Sequence, residues 1–307
     1  MSSILEYARL AGLIMALGVG GACNGLKETG RSGEERPETW SGRLARTDHA
    51  LPPEVVFCGQ TLDLSRPSVR ERLETEFIIV VNQPAQVALW RRRAREYFPP
   101  IEAGLKAAGL PADLKYLAVA ESDLRPGVIS PAGALGLWQF MPATARRFGL
   151  TVNGRFDQRY LPENLLEAAQ TYLKSLHAAF GDWPLAMAAY NAGEGRIRKA
   201  MAEQGGVRDY SQLDLPRETE RYVYRIAAIK IILENPEAYG FTASPPDQAY
   251  RPLITNRRTV TVPDRSGWPA LAKAAGCDYK TLRILNPHMR ESDFSGTYEV
   301  LVPTAGK

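Results

Sequence analysis

Residues 111–123 read PADLKYLAVAESD. Pro111 opens a helix where its missing N–H costs nothing, and Asp113 sits in the first turn, where the helix dipole favours a carboxylate. From Leu114 to Ala120 only Lys115 is charged. A helix of that composition is buried on most sides, unlike a surface helix with a single apolar stripe. It ends in Glu121-Ser122-Asp123. A carboxyl at the end of such a helix is partly desolvated, which raises its pKa and keeps it protonated near neutral pH. That is the state a departing glycosidic oxygen needs. Taken alone, a plainer reading fits better: a carboxylate emerging into solvent or pairing with an arginine.

Outward from this helix the chain reads helical in both directions. Arg70–Val81 and Ala85–Tyr97 carry apolar residues at spacings of three and four, with Asn82-Gln83-Pro84 between them. Pro99-Pro100 predicts an interruption before a short amphipathic piece, Ile101–Ala108, capped by Gly109. Further helices are expected over Pro142–Phe148, Pro162–Phe180, Trp183–Tyr190 and Pro216–Glu234. The fold class is therefore mainly α over 62–241, with no long sheet. A linker over 242–257, marked by Ala243-Ser244-Pro245-Pro246-Asp247, separates it from a small module over 258–303. In that module Arg258–Val262 and Glu299–Val302 alternate as strands and flank the helical Trp268–Ala275 and Tyr279–Asn286, giving β-α-α-β.

Ahead of the helical domain, 24–61 is polar and breaker-rich and reads as a flexible tether. Leu10–Ala22 is an uncharged run, too short for a membrane span and suited to an export signal peptide over 1–23. Ala22-Cys23 resembles a lipoprotein processing site, although Gly20 stands where a large aliphatic residue is usual. The expected location is the cell envelope, in the periplasm, with membrane attachment through lipid on Cys23.

The 307 residues carry a formal charge of +4, too small and too dispersed to point to nucleic acid. Cys58 and Cys277 lie far apart, so nothing supports a disulfide between them. His49, His177 and His288 have neither metal-ligand spacing nor a plausible nucleophile beside them. No cofactor and no metal are expected.

Two further segments carry chemistry. Ser130–Pro142, SPAGALGLWQFMP, combines glycines, prolines, a Trp and a Gln. Such a loop lets a ligand approach the backbone and offers aromatic and amide groups to a sugar. It fits equally a tight connection that buries Trp138 and Phe140. Ala188–Gly195, AAYNAGEG, ends a helix. There Asn191 and Gly193 act as terminators, or Asn191 presents its amide to a sugar.

Glu121-Ser122, Gly136-Leu137-Trp138-Gln139, Ala189-Tyr190-Asn191-Ala192-Gly193 and Glu218-Thr219-Glu220-Arg221-Tyr222-Val223 follow one another in the order found in soluble lytic transglycosylase-type catalytic domains. The resemblance covers Phe98–Leu233. Trp138 and the C-terminal module are similar to the membrane-bound lytic transglycosylase D branch. The resemblance implies a lysozyme-like helical fold, peptidoglycan glycan strands as partner, and cleavage of the β-1,4 bond between N-acetylmuramic acid and N-acetylglucosamine. It makes Glu121 the acid that then acts as base, and Tyr222 its hydrogen-bond partner. It puts Gln139, Tyr190 and Asn191 on the substrate, Ser130 on an N-acetyl group, and Met141 in the groove wall. The C-terminal module resembles LysM, a peptidoglycan-binding domain, through Val260-Thr261-Val262-Pro263, Leu282–Pro287 and Val300–Pro303, but Asp264-Arg265-Ser266-Gly267-Trp268 replaces its usual sugar-groove loop.

A two-carboxylate glycosidase needs a second acid opposite the first. Asp123 adjoins Glu121, and Asp157 and Glu194 lack motif context. Without such an acid the muramoyl N-acetyl group assists, and Glu121 closes a 1,6-anhydro ring. The alternatives are a muramidase-type hydrolase of the same bond and a non-catalytic peptidoglycan-binding protein.

Overall fold

The computed structural model describes residues 49–241 and 255–304. The export segment with Cys23, the tether up to residue 48 and most of the expected linker lie outside the described residues. Among the described residues no helix is long and apolar enough to cross a membrane.

The order is a hairpin, β1 (Val56–Phe57) and β2 (Gln60–Thr61), then α1 (Pro67–Val81), α2 (Pro84–Ala107), α3 (Lys115–Ser122), α4 (Pro142–Arg147), α5 (Pro162–Phe180), α6 (Trp183–Ala192), α7 (Glu194–Glu203) and α8 (Arg217–Glu234). After the undescribed gap come β3 (Thr255–Ser266), α9 (Trp268–Ala275), α10 (Tyr279–Leu285) and β4 (Phe294–Pro303). The mainly helical class with a terminal β-α-α-β module is what the sequence predicts.

Local signals account for the helices. Prolines occupy the first turn of α1, α2, α4, α5 and α6, where no hydrogen bond is lost. Asp182 caps α6 by accepting from Leu185 N at 3.0 Å. On α5 Leu165, Ala168, Ala169, Tyr172, Leu173, Leu176 and Phe180 are buried, one face at helical period. The predicted burial of α3 holds: Tyr116, Leu117, Ala118 and Val119 are all within 2% of full burial. α8 packs against α1, α3 and α6, so it serves as the axis of the domain.

Three expectations need correction. The helix does not break at Pro99-Pro100; α2 runs through both. Each proline lacks an N–H, but both are exposed, on the side of the helix that water can reach. Buried Trp90, Ile101 and Leu105 hold the two halves on one core. The tether does not extend to residue 61, because Val55, Phe57 and Cys58 are core residues. A two-residue turn with Cys58 and Gly59 at φ 50° and 78° closes that hairpin, and Cys58 N donates to Asp113 Oδ2 at 2.7 Å. The module's first strand begins at Thr255, not 258, and pairs antiparallel with β4 from Thr255↔Pro303 to Val262↔Gly296. Cys58 and Cys277 are free thiols.

The module has its own core of Val260, Val262, Trp268, Leu271, Leu282, Phe294 and Val300. Asn286 is fully buried and stitches α10 to β4, donating to Leu282 O and Leu301 O and accepting from Leu301 N. The loop between α10 and β4 pairs with the helical domain: Asp157 N donates to His288 O at 2.9 Å and Arg290 N to Arg155 O at 2.8 Å.

Candidate active site

The site grows from the end of α3. Ser122 Oγ lies 3.0 Å from Ala118 O and 2.9 Å from Leu137 O, which ties the helix terminus to the 130–140 loop. Asp123 and Leu124 both take positive φ, 55° each, and reverse the chain. Two successive non-glycine residues in that region carry strain that the surroundings must hold. The hold is visible: Asp123 accepts from Trp90 Nε1 at 2.8 Å, pairs with Arg125, and its carbonyl accepts from Arg93 at 2.9 Å. Glu121 is thereby left partly exposed.

Tyr222, 2% exposed on α8, donates its hydroxyl to Glu121 Oε1. Burial pushes the Glu121 carboxyl up from its ordinary 4.5 to about 7. The Tyr222 hydrogen bond opposes that rise, Glu218 adds to it, and Arg225 again opposes it. Glu218, Tyr222 and Arg225 stand one turn apart on the same face of α8. Glu76 of α1, 1% exposed, pairs with Arg221 and Arg225, so the charges around Glu121 extend into the α1–α8 interface.

The third wall comes from α6. Tyr190 donates to Trp138 O at 2.6 Å, and its ring lies 5.2 Å from that of Tyr172. Burial drives its phenol well above the usual value, with the nearby Glu121 charge adding to the effect. Asn191 Oδ1 accepts from Thr219 Oγ1 at 2.9 Å, which joins the end of α6 to the first turn of α8. Gly193, at φ 93°, then lets α7 begin at once.

The fourth wall is the 130–140 loop. Gln139 takes φ 46° and donates through Nε2 to Val128 O and Gly136 O at 3.1 and 2.9 Å. Ser130 Oγ accepts from Ala134 N at 3.0 Å. Trp138 and Phe140 are buried in the core, which is the plainer of the two readings of those aromatics. Gly136 is required: at φ 86° an added Cβ would lie 2.5 Å from Arg159 O and 2.4 Å from Leu165 Cδ2. Arg159, itself buried, forms a two-point pair with buried Asp157 and donates to Gly133 O and Phe140 O at 2.8 and 2.9 Å. That guanidinium is the strut of the loop.

The structure thus puts Tyr222 on Glu121 and Tyr190 within reach of its charge; Asn191 is tied to α8 through Thr219, and Gln139 follows Trp138, whose carbonyl Tyr190 holds. Ser130 and Met141 sit on the same loop without a bond to that group; Met141 is 41% exposed. The acids weighed as a second carboxylate are engaged elsewhere: Asp123 with Trp90 and Arg125, Asp157 with Arg159, and Glu194 with Arg147 at 3.1 Å. Glu218, Arg225 and Glu76 were not singled out from the sequence. Their signal was positional, one turn either side of Tyr222 for the first two, and for the third an acid at helical spacing from Val69, Leu73 and Val80 on the apolar face of α1. Among the described residues no group of three His, Cys, Asp or Glu is placed to hold a metal.

Residues 98–212 match the family described as Transglycosylase SLT domain. The chain is 33% identical over 217 residues to the membrane-bound lytic murein transglycosylase D of Escherichia coli (strain K12), covering 69% of this chain and 47% of that protein. It is 37% identical over 91 residues to the soluble lytic murein transglycosylase of Salmonella typhimurium, 28% of this chain and 14% of that one. The solved 70 kDa soluble lytic transglycosylase of Escherichia coli aligns at 26% identity and a TM-score of 0.41, over 55% of this chain and 29% of that one. The chain spans about half the length of the first of these relatives.

Proposed function

Because residues 98–212 are a transglycosylase SLT domain, we propose that the protein is a peptidoglycan lytic transglycosylase that cuts the β-1,4 bond between N-acetylmuramic acid and N-acetylglucosamine. The observation that carries this is the Glu121–Tyr222 pair: a carboxyl raised to about 7, held by one phenol. At neutral pH about half the molecules hold the proton that the leaving oxygen requires. Glu121 gives that proton to the glycosidic oxygen as the C1–O4 bond breaks. The muramoyl N-acetyl oxygen supports the developing positive charge at C1, the substrate-assisted route for a site with one working acid. The carboxylate left behind accepts a hydrogen bond from Tyr222, then takes the proton of the 6-hydroxyl as O6 bonds to C1. The product is a 1,6-anhydromuramoyl end, and Glu121 is protonated again.

Around that centre Gln139 offers its unused Oε1 and Asn191 its unused amide hydrogens to the sugars, with Tyr190, Ser130 and Met141 along the groove. Mass spectrometry of digested sacculi tests the reading: ends lighter by one water are expected, and hydrated reducing ends would overturn it. A second reading, hydrolysis, has one observation in its favour. Glu218 is an exposed acid whose charge acts on Glu121, and as a base for water it would yield hydrated ends. Clearing of sacculi by Glu121→Gln at the wild-type rate would remove both readings.

The relatives described as membrane-bound support a place at the cell envelope. To this we add the export signal with lipid on Cys23, a catalytic domain that takes in the Val55–Thr61 hairpin and runs to 241, and a LysM-like module over 255–303. Loss of envelope association on Cys23→Ser tests the anchor.

A further inference from the structure

We infer that the cleft between the 151–158 loop and the C-terminal module is a second saccharide site, holding uncharged N-acetylated glycan away from the bond being cut. The inference rests on the peptidoglycan reading for its choice of glycan, and on the following geometry for the site itself.

The cleft is a product of docking. Backbone pairing of Phe156 with Met289, flanked by the Asp157–His288 and Arg290–Arg155 hydrogen bonds, fixes the module's α10–β4 loop against the helical domain. Beside this seam opens a cavity of about 430 Å³, lined by Asn153, Phe156 and Gln158 from one side and Glu291, Thr297 and Tyr298 from the other. That volume lies in the range of small-ligand sites.

The hydrogen-bond chemistry of the lining is one-sided in an informative way. Asn153 Oδ1 accepts from the amides of Arg155 and Phe156, at 2.8 Å each, and Gln158 Oε1 accepts from Thr151 N at 2.6 Å. Both carboxamides are thus fixed by their oxygens, and their NH₂ groups are the ends left to donate. Glu291 supplies the acceptor. Its side chain is 9% exposed; Oε2 pairs with Arg155 Nε at 2.8 Å, and Oε1 is buried with no partner. A buried acceptor left unmade is costly, and because Glu291 lines the cavity, a small turn of its side chain would bring that oxygen to a ligand hydroxyl or amide N–H. Fixed donors, a carboxylate acceptor and the Phe156 and Tyr298 rings together match a molecule that carries hydroxyls on a partly apolar frame. A free anion is opposed by Glu291 and a free cation by Arg155, whose own charges already cancel. Arg159, just after the 151–158 loop, is held by Asp157 and donates to Gly133 O and Phe140 O. Glycan held in the cleft therefore bears on the loop that carries Ser130 and Gln139.

The test is a calorimetric titration of the full chain carrying Glu121→Gln, so that ligand is not consumed, with N-acetylglucosamine tetramer. Two sites per chain are expected. Thr151→Trp and Thr297→Trp, at exposed positions on opposite walls, fill the cleft without touching the core. Either should weaken one site at least tenfold and leave the other unchanged, and one folded variant suffices. A single site in the parent, or two unchanged sites in a folded variant, would overturn the inference. Since the titration reads binding alone, its outcome is independent of whether the wild-type protein makes anhydro ends.

Discussion

Replacing Glu121 by Gln should stop catalysis and, above neutral pH, make the protein more stable. In the folded chain this carboxyl titrates at about 7, against an ordinary 4.5. Between those values the folded chain keeps a proton that the unfolded chain releases. Stability therefore falls as pH rises through that window and is level above it. At about 1.36 kcal/mol per pH unit the full loss is about 3 kcal/mol. Because Glu121 is partly open to water, about 2 kcal/mol is the fairer figure. Gln has the same shape and still accepts from Tyr222, but it has no charge to desolvate. The variant and wild type should therefore unfold alike near pH 4 and differ by about 2 kcal/mol near pH 8.5. Urea unfolding followed by circular dichroism across that range reads the difference directly, and other titrating groups cancel in the comparison. A difference that does not change with pH, or a wild type that gains on the variant as pH rises, would refute the claim that burial holds the proton on Glu121.

Three other perturbations have defined outcomes. Tyr222→Phe removes a donor that favours the charged carboxylate, so the alkaline limb of the activity profile should move up by about one pH unit while the rate falls about tenfold; initial rates on purified sacculi against pH decide it, and an unmoved limb counts against the pairing. Gly136→Ala forces a Cβ into Arg159 O and a positive φ on a residue with a side chain, and should cost about 2–4 kcal/mol by thermal unfolding. Arg159→Met strands buried Asp157 and the carbonyls of Gly133 and Phe140. It should cost about 3–5 kcal/mol, with activity lost ahead of global unfolding as the 130–140 loop loosens.

What the sequence disclosed follows how local each signal is. The run from Leu114 to Ala120 announces a buried helix because it holds a single charge, Lys115, and the proline starts of the other helices are equally local. Pro99-Pro100 misled because a proline's cost depends on whether the orphaned carbonyls reach solvent, which is a tertiary fact. α7 went unpredicted because its apolar stripe is only Ile197, Ala200 and Met201 among ten mostly polar residues, too short to stand out. The strands at Val56 and Gln60 are too short for alternation to register. In the site, Glu121 and Tyr222 are 101 residues apart. Ordered motifs could associate them, but only packing of α3 on α8 makes them touch. Glu76 lay further from view, since a buried acid reads as a surface one until its arginines are placed.

The polar side chains of the site share a design that explains why so short a list could suffice. Gln139 spends its NH₂ on Val128 O and Gly136 O and keeps an acceptor. Asn191 spends its carbonyl on Thr219 and keeps donors. Tyr190 spends its hydrogen on Trp138 O and keeps a lone pair. Each is immobilised by one end and offers the opposite hydrogen-bonding sense with the other. A flexible side chain would lose rotamer freedom on meeting the sugar; these have lost it on folding. On the proposed reaction, an acceptor at Gln139 and donors at Asn191, both fixed in direction, would distinguish the orientation of a bound saccharide. Glu121 would need that discrimination, because a single carboxyl would meet the leaving oxygen first and the 6-hydroxyl second from one position, and rigid walls would let one acid serve both steps.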